Sequence, residues 1–364
     1  MPNNLWRRPS EVLSVQYLRA LAATLVVFNH ARQFPGFEEA LATSVGNAGV
    51  DIFFVISGFV MAVTAGEANY PAARFLTKRL IRIVPIYWFT TIVTAALLVS
   101  APFLFRDNIF TWPHFVLSLL FIPHISPIGG YSPLIKIGWT LNFEMFFYLV
   151  FAALLTLELT KRICAIAFLF ALLIGFNKLC HPHSAALNFL GDGILFEFVI
   201  GCIIGRMYLA GTLARIPRGA AWIGVILGAA SLLAFGAYQT ELHRLFRFGL
   251  PGALLVAAMV TLEQRGMVRH WPRLKFLGDA SYSLYLTHLS VIVFMRKFWT
   301  TEALPVTGLG STLLFVCFAL VASIAIGALT YAWIERPMLH FLRQRFTDRA
   351  WRPGSRRLQD IPSP

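Results

Sequence analysis

Residues 19–30 read RALAATLVVFNH, an arginine and a histidine separated by ten mostly apolar residues. Eleven steps of α-helix rise about 16 Å and turn about 1100°, three full turns plus roughly 20°. Arg19 and His30 are therefore expected on one face of one helix, with Ala23 and Val26 between them. Ionisable side chains are costly inside a membrane helix, face the bundle interior, and mark function by default. Reading this stretch decides whether the chain is a membrane bundle with chemistry inside it.

Composition says that it is. The chain has 364 residues, 57% hydrophobic and 13% charged, with a mean hydropathy of +0.68; soluble proteins carry about 25% charged residues. Apolar runs fall near 15–33, 48–65, 83–105, 139–157, 163–179, 190–209, 219–239, 248–262, 276–298 and 306–333. About 20 apolar residues span a bilayer, so the expectation is an all-α polytopic membrane protein of about ten transmembrane helices, several of them short. The first run is expected to be retained, because residues 31–36, ARQFPG, lack a small-x-small cleavage site. Cys164, Cys180, Cys202 and Cys317 are scattered and suggest neither a zinc site nor a disulfide framework.

The net charge of +14 follows topology. With a cytoplasmic N-terminus, 22 of the 31 Lys and Arg residues fall in inside segments and 8 in outside ones, with Arg19 on a helix. That bias places both termini in the cytoplasm and assigns the charge to orientation and anionic lipid, with no nucleic-acid partner. Residues 111–127, TWPHFVLSLLFIPHISP, have too short an apolar core to cross and are expected to be re-entrant or interfacial on the outer side. The membrane domain is expected over 12–340. A basic cytoplasmic tail follows over 341–364, disordered beyond its last arginines.

This topology assigns depths. Arg19 lies near the inner end of the first helix and His30 near its outer end. Asp51 and Ser57 lie on GVDIFFVISGFVM, near its outer start and at mid-depth respectively. Trp139, Asn142 and Glu144 occupy the outer turns of GWTLNFEMFFYLVF. Counting thus brings His30, Asp51 and Glu144 to one outer level, a general-base arrangement in which a carboxylate orients an imidazole. At the inner end, Arg79 and Arg82 stand one turn apart in RFLTKRLIRIVPIYW, and paired guanidiniums can grip phosphate, with Arg19 at similar depth. Ser281, Tyr285 and His288 form one face of SYSLYLTHL and are candidates for a pore wall or for plain interhelical hydrogen bonds. Glu197 reads as structural. The pair His181 and His183 has no third ligand nearby, so no metal is expected.

In this order, the Arg-x10-His pair, GVDIFFVISGF, RLIRIVPIYW, GWTLNFEMFFY and SYSLYLTHL resemble the integral-membrane acyltransferase family 3, nearest its exopolysaccharide-modifying branch. The resemblance covers about residues 12 to 340. It implies an inner-membrane O-acyltransferase that uses acetyl-CoA from the cytoplasm. It also implies that His30 is the essential histidine, that Arg79 and Arg82 are the Arg-x-x-Arg motif, and that Glu144 is the acid after Trp-Thr-Leu. Some members carry an added extracytoplasmic hydrolase-like domain. This sequence shows none, which points to a glycan or lipid-linked oligosaccharide acceptor that approaches the membrane itself. Arg19, Arg79 and Arg82 would bind the acyl-CoA phosphates, and His30, oriented by Glu144 or Asp51, would take the proton of the attacking sugar hydroxyl. Direct attack and transfer through an acyl-histidine both fit these residues. A glycolipid transporter or flippase, or a structural subunit of an export complex, would also carry intramembrane charges. The paired, interrupted helices that point to transporters are not seen.

Overall fold

The computed structural model describes residues 11–33, 43–66, 68–101, 108–238, 241–301 and 309–348. Among them there is no strand. The helices are α1 (Leu13–Arg32), α2 (Ala48–Ala65), α3 (Ala72–Ser100), α4 (Trp112–Leu119), α5 (Trp139–Ala153), α6 (Leu159–Cys180) and α7 (Ala185–Leu190). They continue with α8 (Leu195–Leu209), α9 (Arg218–Ala237), α10 (Leu250–Gln264), α11 (Pro272–Asp279), α12 (Ser281–Thr301), α13 (Leu309–Thr330) and α14 (Arg336–Arg343).

Each of the ten expected runs falls on a helix, and six helical stretches are long and apolar enough to cross a membrane: 45–65, 72–100, 159–180, 218–237, 245–264 and 309–346. The chain is a multi-pass membrane protein by these stretches. The four expected helices outside that set are α1, α5, α8 and α12. Two are short, since the 15 residues of α5 and of α8 rise only about 22 Å. The other two carry the polar residues Arg19, Asn29, His30 and Arg32 on α1, and Ser281, Ser283, Thr287 and His288 on α12. Every helix that falls short thus bears polar groups singled out from the sequence. α4 has only eight residues, so the 111–127 segment turns back after about 12 Å of helix. Its buried His114 shares a 2.7 Å ring-nitrogen contact with His124. Burial and the facing His124 push the His114 pKa down to about 4.

The core is built around α2. Close approach to α8 needs small residues, because a Cβ at Gly58 would lie 2.0 Å from the Phe198 carbonyl oxygen, and one at Gly201 would lie 2.1 Å from that of Val55. Such contacts let two helical backbones pack without intervening side chains. Phe54, Phe147 and Phe198 fill the layer beside this seam, with ring centroids 4.7 Å (Phe54–Phe198) and 4.5 Å (Phe147–Phe198) apart. The start of α1 is fixed from a distance. The Glu263 carboxylate accepts the Leu13 and Ser14 backbone N–H groups at 2.8 and 2.7 Å and the Ser14 hydroxyl at 2.6 Å. These orphan N–H groups at a helix start otherwise need water or a cap.

Arg162, counted among the inside charges, is an internal structural group rather than a solvated one. It is fully buried, and its guanidinium donates to the carbonyls of Leu154, Ala65, Leu155 and Leu157. It acts as an internal cap for the α5–α6 turn and the end of α2. Beyond α13 the helix winds through a π-helical turn, Tyr331–Glu335, into α14 and a further π turn to Asp348. Helix therefore continues past the expected boundary at 340, and the rest of the tail lies outside the described residues.

Candidate active site

Helices α1, α2, α3, α5 and α12 enclose a cavity with about 830 Å³ of empty space, part of it open. Its levels can be read off three helices that agree. At one end are Arg19, Arg79 and Arg82, with Tyr148 of α5 and Tyr282 of α12. Arg79 donates to the Thr64 hydroxyl at 2.9 Å, which pins this end to the last turn of α2. One level on, Glu144 of α5 meets Ser57 of α2. At the far end stand Val50 and Phe53 of α2, Thr140 of α5 and Tyr285 of α12.

The three arginines are not equivalent. Arg82 is ion-paired with Glu335, whose side chain is fully buried and also accepts the Ser283 hydroxyl at 2.5 Å. Arg79 lies over the Phe75 ring at 5.7 Å, and its Nε has no hydrogen-bond partner. Arg19 donates only to Gln16, at 3.3 Å. Among the described residues neither Arg19 nor Arg79 has a carboxylate partner within salt-bridge distance. Glu144 lines the same cavity and Glu335 pairs with Arg82, so three guanidiniums face two carboxylates and this end carries a net positive charge, with donors of Arg19 and Arg79 left to take an anion. Glu335 was not singled out from the sequence; the only signal was an acid in the last membrane-entering turn, within YAWIERP.

Glu144 belongs to this cavity and not to the neighbourhood of His30. Its carboxylate accepts the Ser57 hydroxyl at 3.0 Å and the Tyr148 hydroxyl one turn along the same helix. The tyrosine was missed, although its i+4 spacing was visible. Asp51 is also elsewhere. Fully buried, it holds Arg244 through two bonds, Nε–Oδ1 at 2.9 Å and Nη2–Oδ2 at 2.7 Å. Buried Glu197 lies within electrostatic reach of this pair. The Arg244 guanidinium sits 5.8 Å over Trp139. Trp139 and Asn142 do not line the cavity, and the Asn142 Oδ1 is buried without a partner.

The expected hydrogen bond of His30 to Glu144 or Asp51 is not seen among the described residues. For Glu144 the reason is depth, since it stands level with Ser57 and not with Asp51; for Asp51 it is azimuth. Counting residues sets height along a helix but not the face presented. Asp51 and Ser57 are six residues apart, about 600° of turn, so they point to faces about 120° apart. What His30 does meet is His288, with ring centroids 5.2 Å apart and planes at 39°. His288 is fully buried, and its Nδ1 lies 2.6 Å from the Tyr285 carbonyl oxygen. A carbonyl only accepts, so this nitrogen carries the hydrogen. Nε2 is left as an acceptor without a partner. The Tyr285 ring lies 5.9 Å from that of His288, and its hydroxyl meets Thr140 at 2.8 Å and Ile137 at 2.9 Å. Ser281 lines the arginine end of the cavity. The stripe Ser281, Tyr285, His288 thus runs from the cationic end to the histidine pair.

Comparison with known proteins fits a site of this kind. A family model described as an acyltransferase domain matches residues 12–332. The exopolysaccharide production protein ExoZ of Rhizobium meliloti is 36% identical over 304 residues, covering 83% of this chain and 92% of the relative. Acyltransferase MdmB of Streptomyces mycarofaciens is 25% identical, with 95% of each chain covered. The peptidoglycan O-acetyltransferase OatA of Listeria monocytogenes is 26% identical over 90% of this chain and 56% of its own. No solved structure matches. The transporter reading is set aside, and these likenesses together show that the chain belongs to the acyltransferase 3 family and is an O-acetyltransferase.

Proposed function

We propose that this enzyme sits in the inner membrane and moves an acetyl group from cytoplasmic acetyl-CoA to a sugar hydroxyl of an exported or lipid-linked glycan. The single observation that carries this reading is the cavity. It has two unpaired guanidiniums at one end and, at the other, a tyrosine whose ring neighbours the His288–His30 pair. A donor with phosphates at one end and a thioester at the end of a long arm suits those two ends. Arg19 and Arg79 would take phosphate oxygens, with Arg82 held in place by Glu335. The likeness to an exopolysaccharide production protein favours an exopolysaccharide as the acceptor.

In this reading the acceptor oxygen attacks the thioester carbonyl carbon while His30 takes its proton. The tetrahedral intermediate then collapses, the C–S bond breaks, and the imidazolium returns the proton to the leaving CoA thiolate. General-base help of this kind is worth about 10²–10⁴ in rate. His288, locked by its bond to the Tyr285 carbonyl, supports the His30 ring by contact alone. Glu144 acts from the cavity, where it balances the arginines and orients Ser57 and Tyr148, and Asp51 acts through Arg244 on the packing of α2.

The test is turnover. The purified protein in vesicles with labelled acetyl-CoA is expected to transfer acetyl to the cognate polysaccharide. Polysaccharide from a deletion strain is expected to lack acetyl signals in its NMR spectrum. An unchanged acetyl content in the deletion strain refutes the acceptor assignment, and transfer that proceeds without acetyl-CoA refutes the donor.

A further inference from the structure

The cavity stops one step short of the histidines. Its outward wall is Val50, Phe53, Thr140 and Tyr285, while neither His30 nor His288 lines it. Phe53 meets Tyr285 edge-on, with ring centroids 6.0 Å apart and planes at 73°. Tyr285 cannot swing away freely, because its hydroxyl is tied to Thr140 and Ile137. Phe53 is held from behind. It packs against all three main apolar clusters, those built on α5 and α8, on α2 and α10, and on α1, α12 and α13. Two rings fixed in this way form a rigid barrier of set width, because packed interiors resist change by even one methylene.

From these contacts we propose that Phe53 and Tyr285 set the acyl-chain length the enzyme accepts, admitting a two-carbon acyl group and rejecting longer ones. The inference rests on the acyl-CoA donor reading above. A thioester carbonyl at this end of the cavity, beside the tyrosine that neighbours His288, must lay its acyl tail against these two rings. In this proposal a two-carbon acyl group ends against the ring edges, whereas a butanoyl chain would need the space that the Phe53 ring fills. Each methylene in such a pocket is worth about 10–200-fold, and butanoyl carries two more than acetyl. The bonds made and broken are those of acetyl transfer.

The experiment compares acetyl-CoA with butanoyl-CoA as donors for the purified enzyme in vesicles, scored as the ratio of kcat/KM. The wild type is expected to favour acetyl. Phe53→Ala is expected to narrow that preference about tenfold or more, and Phe53→Leu, which keeps an apolar side chain and folds more readily, by a smaller factor in the same direction. Val60→Ala enlarges the same cavity nearer the arginines and is expected to keep the wild-type ratio. A wild-type ratio in both Phe53 variants, with acetyl transfer measurable, overturns the proposal and leaves the donor reading standing. An equal shift in Val60→Ala also overturns it, since volume anywhere in the cavity would then suffice. If the wild type acetylates glycan in cells but transfers from neither acyl-CoA in vesicles, the donor reading falls and takes the proposal with it.

Discussion

Arg79 and Arg82 stand one turn apart, yet replacing each with alanine is expected to produce opposite defects. Arg79 gives up a hydroxyl partner, Thr64, and a contact with the Phe75 ring. Neither loss breaks a paired carboxylate, so the folding stability is expected to fall by about 1–2 kcal/mol, less than for Arg82. Its free guanidinium is available to phosphate, and removing one charge-assisted contact costs about 1.5–3 kcal/mol, or about 10- to 150-fold in Kd. Arg82 is different. Its partner Glu335 has a fully buried side chain while its own is 22% exposed, and only the Ser283 hydroxyl would remain to the carboxylate. Breaking a buried pair by removing one partner costs about 3–5 kcal/mol. Because Arg82 already shares its charge with Glu335, its effect on donor binding is expected to be the smaller of the two. The assay pairs thermal unfolding of the detergent-solubilised protein with titration of a non-transferable acetyl-CoA analogue. Arg79→Ala should lose affinity with the smaller fall in melting temperature, and Arg82→Ala should lose melting temperature first. Two variants with the same profile in both measurements would refute the distinction between a free and a committed arginine.

Three further outcomes are expected. His30→Ala should lower acetylation of the glycan by about 10²–10⁴ at near-normal abundance, measured by acetyl content against protein level, and retained activity would end the general-base role. Asp51→Asn and Arg244→Gln should each destabilise the protein by about 3–5 kcal/mol and the double change by less than the sum, because Asp51 serves packing through Arg244; a stable but inactive Asp51→Asn would return Asp51 to the chemistry. With Cys164, Cys180, Cys202 and Cys317 replaced, a cysteine put at position 30 should react with a small thiol reagent added from outside. A cysteine at position 82 should react only from the cytoplasm and be shielded by acetyl-CoA, and labelling of both from the cytoplasm alone would remove the basis for transfer across the membrane.

The sequence by itself carried most of what depends on distance along one helix. Arg19 and His30 share α1 because eleven residues close three turns, and the ten apolar runs coincide with helices because hydrophobic length is a local property. The grouping of Arg19, Arg79 and Arg82 at one end of a cavity was also legible, since positive charge bias orders the helices relative to one another. What only the tertiary structure decided is which face each helix turns to which neighbour. Counting placed Asp51, Glu144 and His30 together; rotation about the helix axes sent Asp51 to Arg244 and His30 to His288, while Glu144 stands deeper, level with Ser57 and bonded to it and to Tyr148. Glu335 is the same case at longer range, 253 residues from the Arg82 it neutralises. An ion pair of that separation has no local sequence signature, because it follows from how α3 and the end of α13 pack, and packing is settled by shape over the whole bundle rather than by period within one helix.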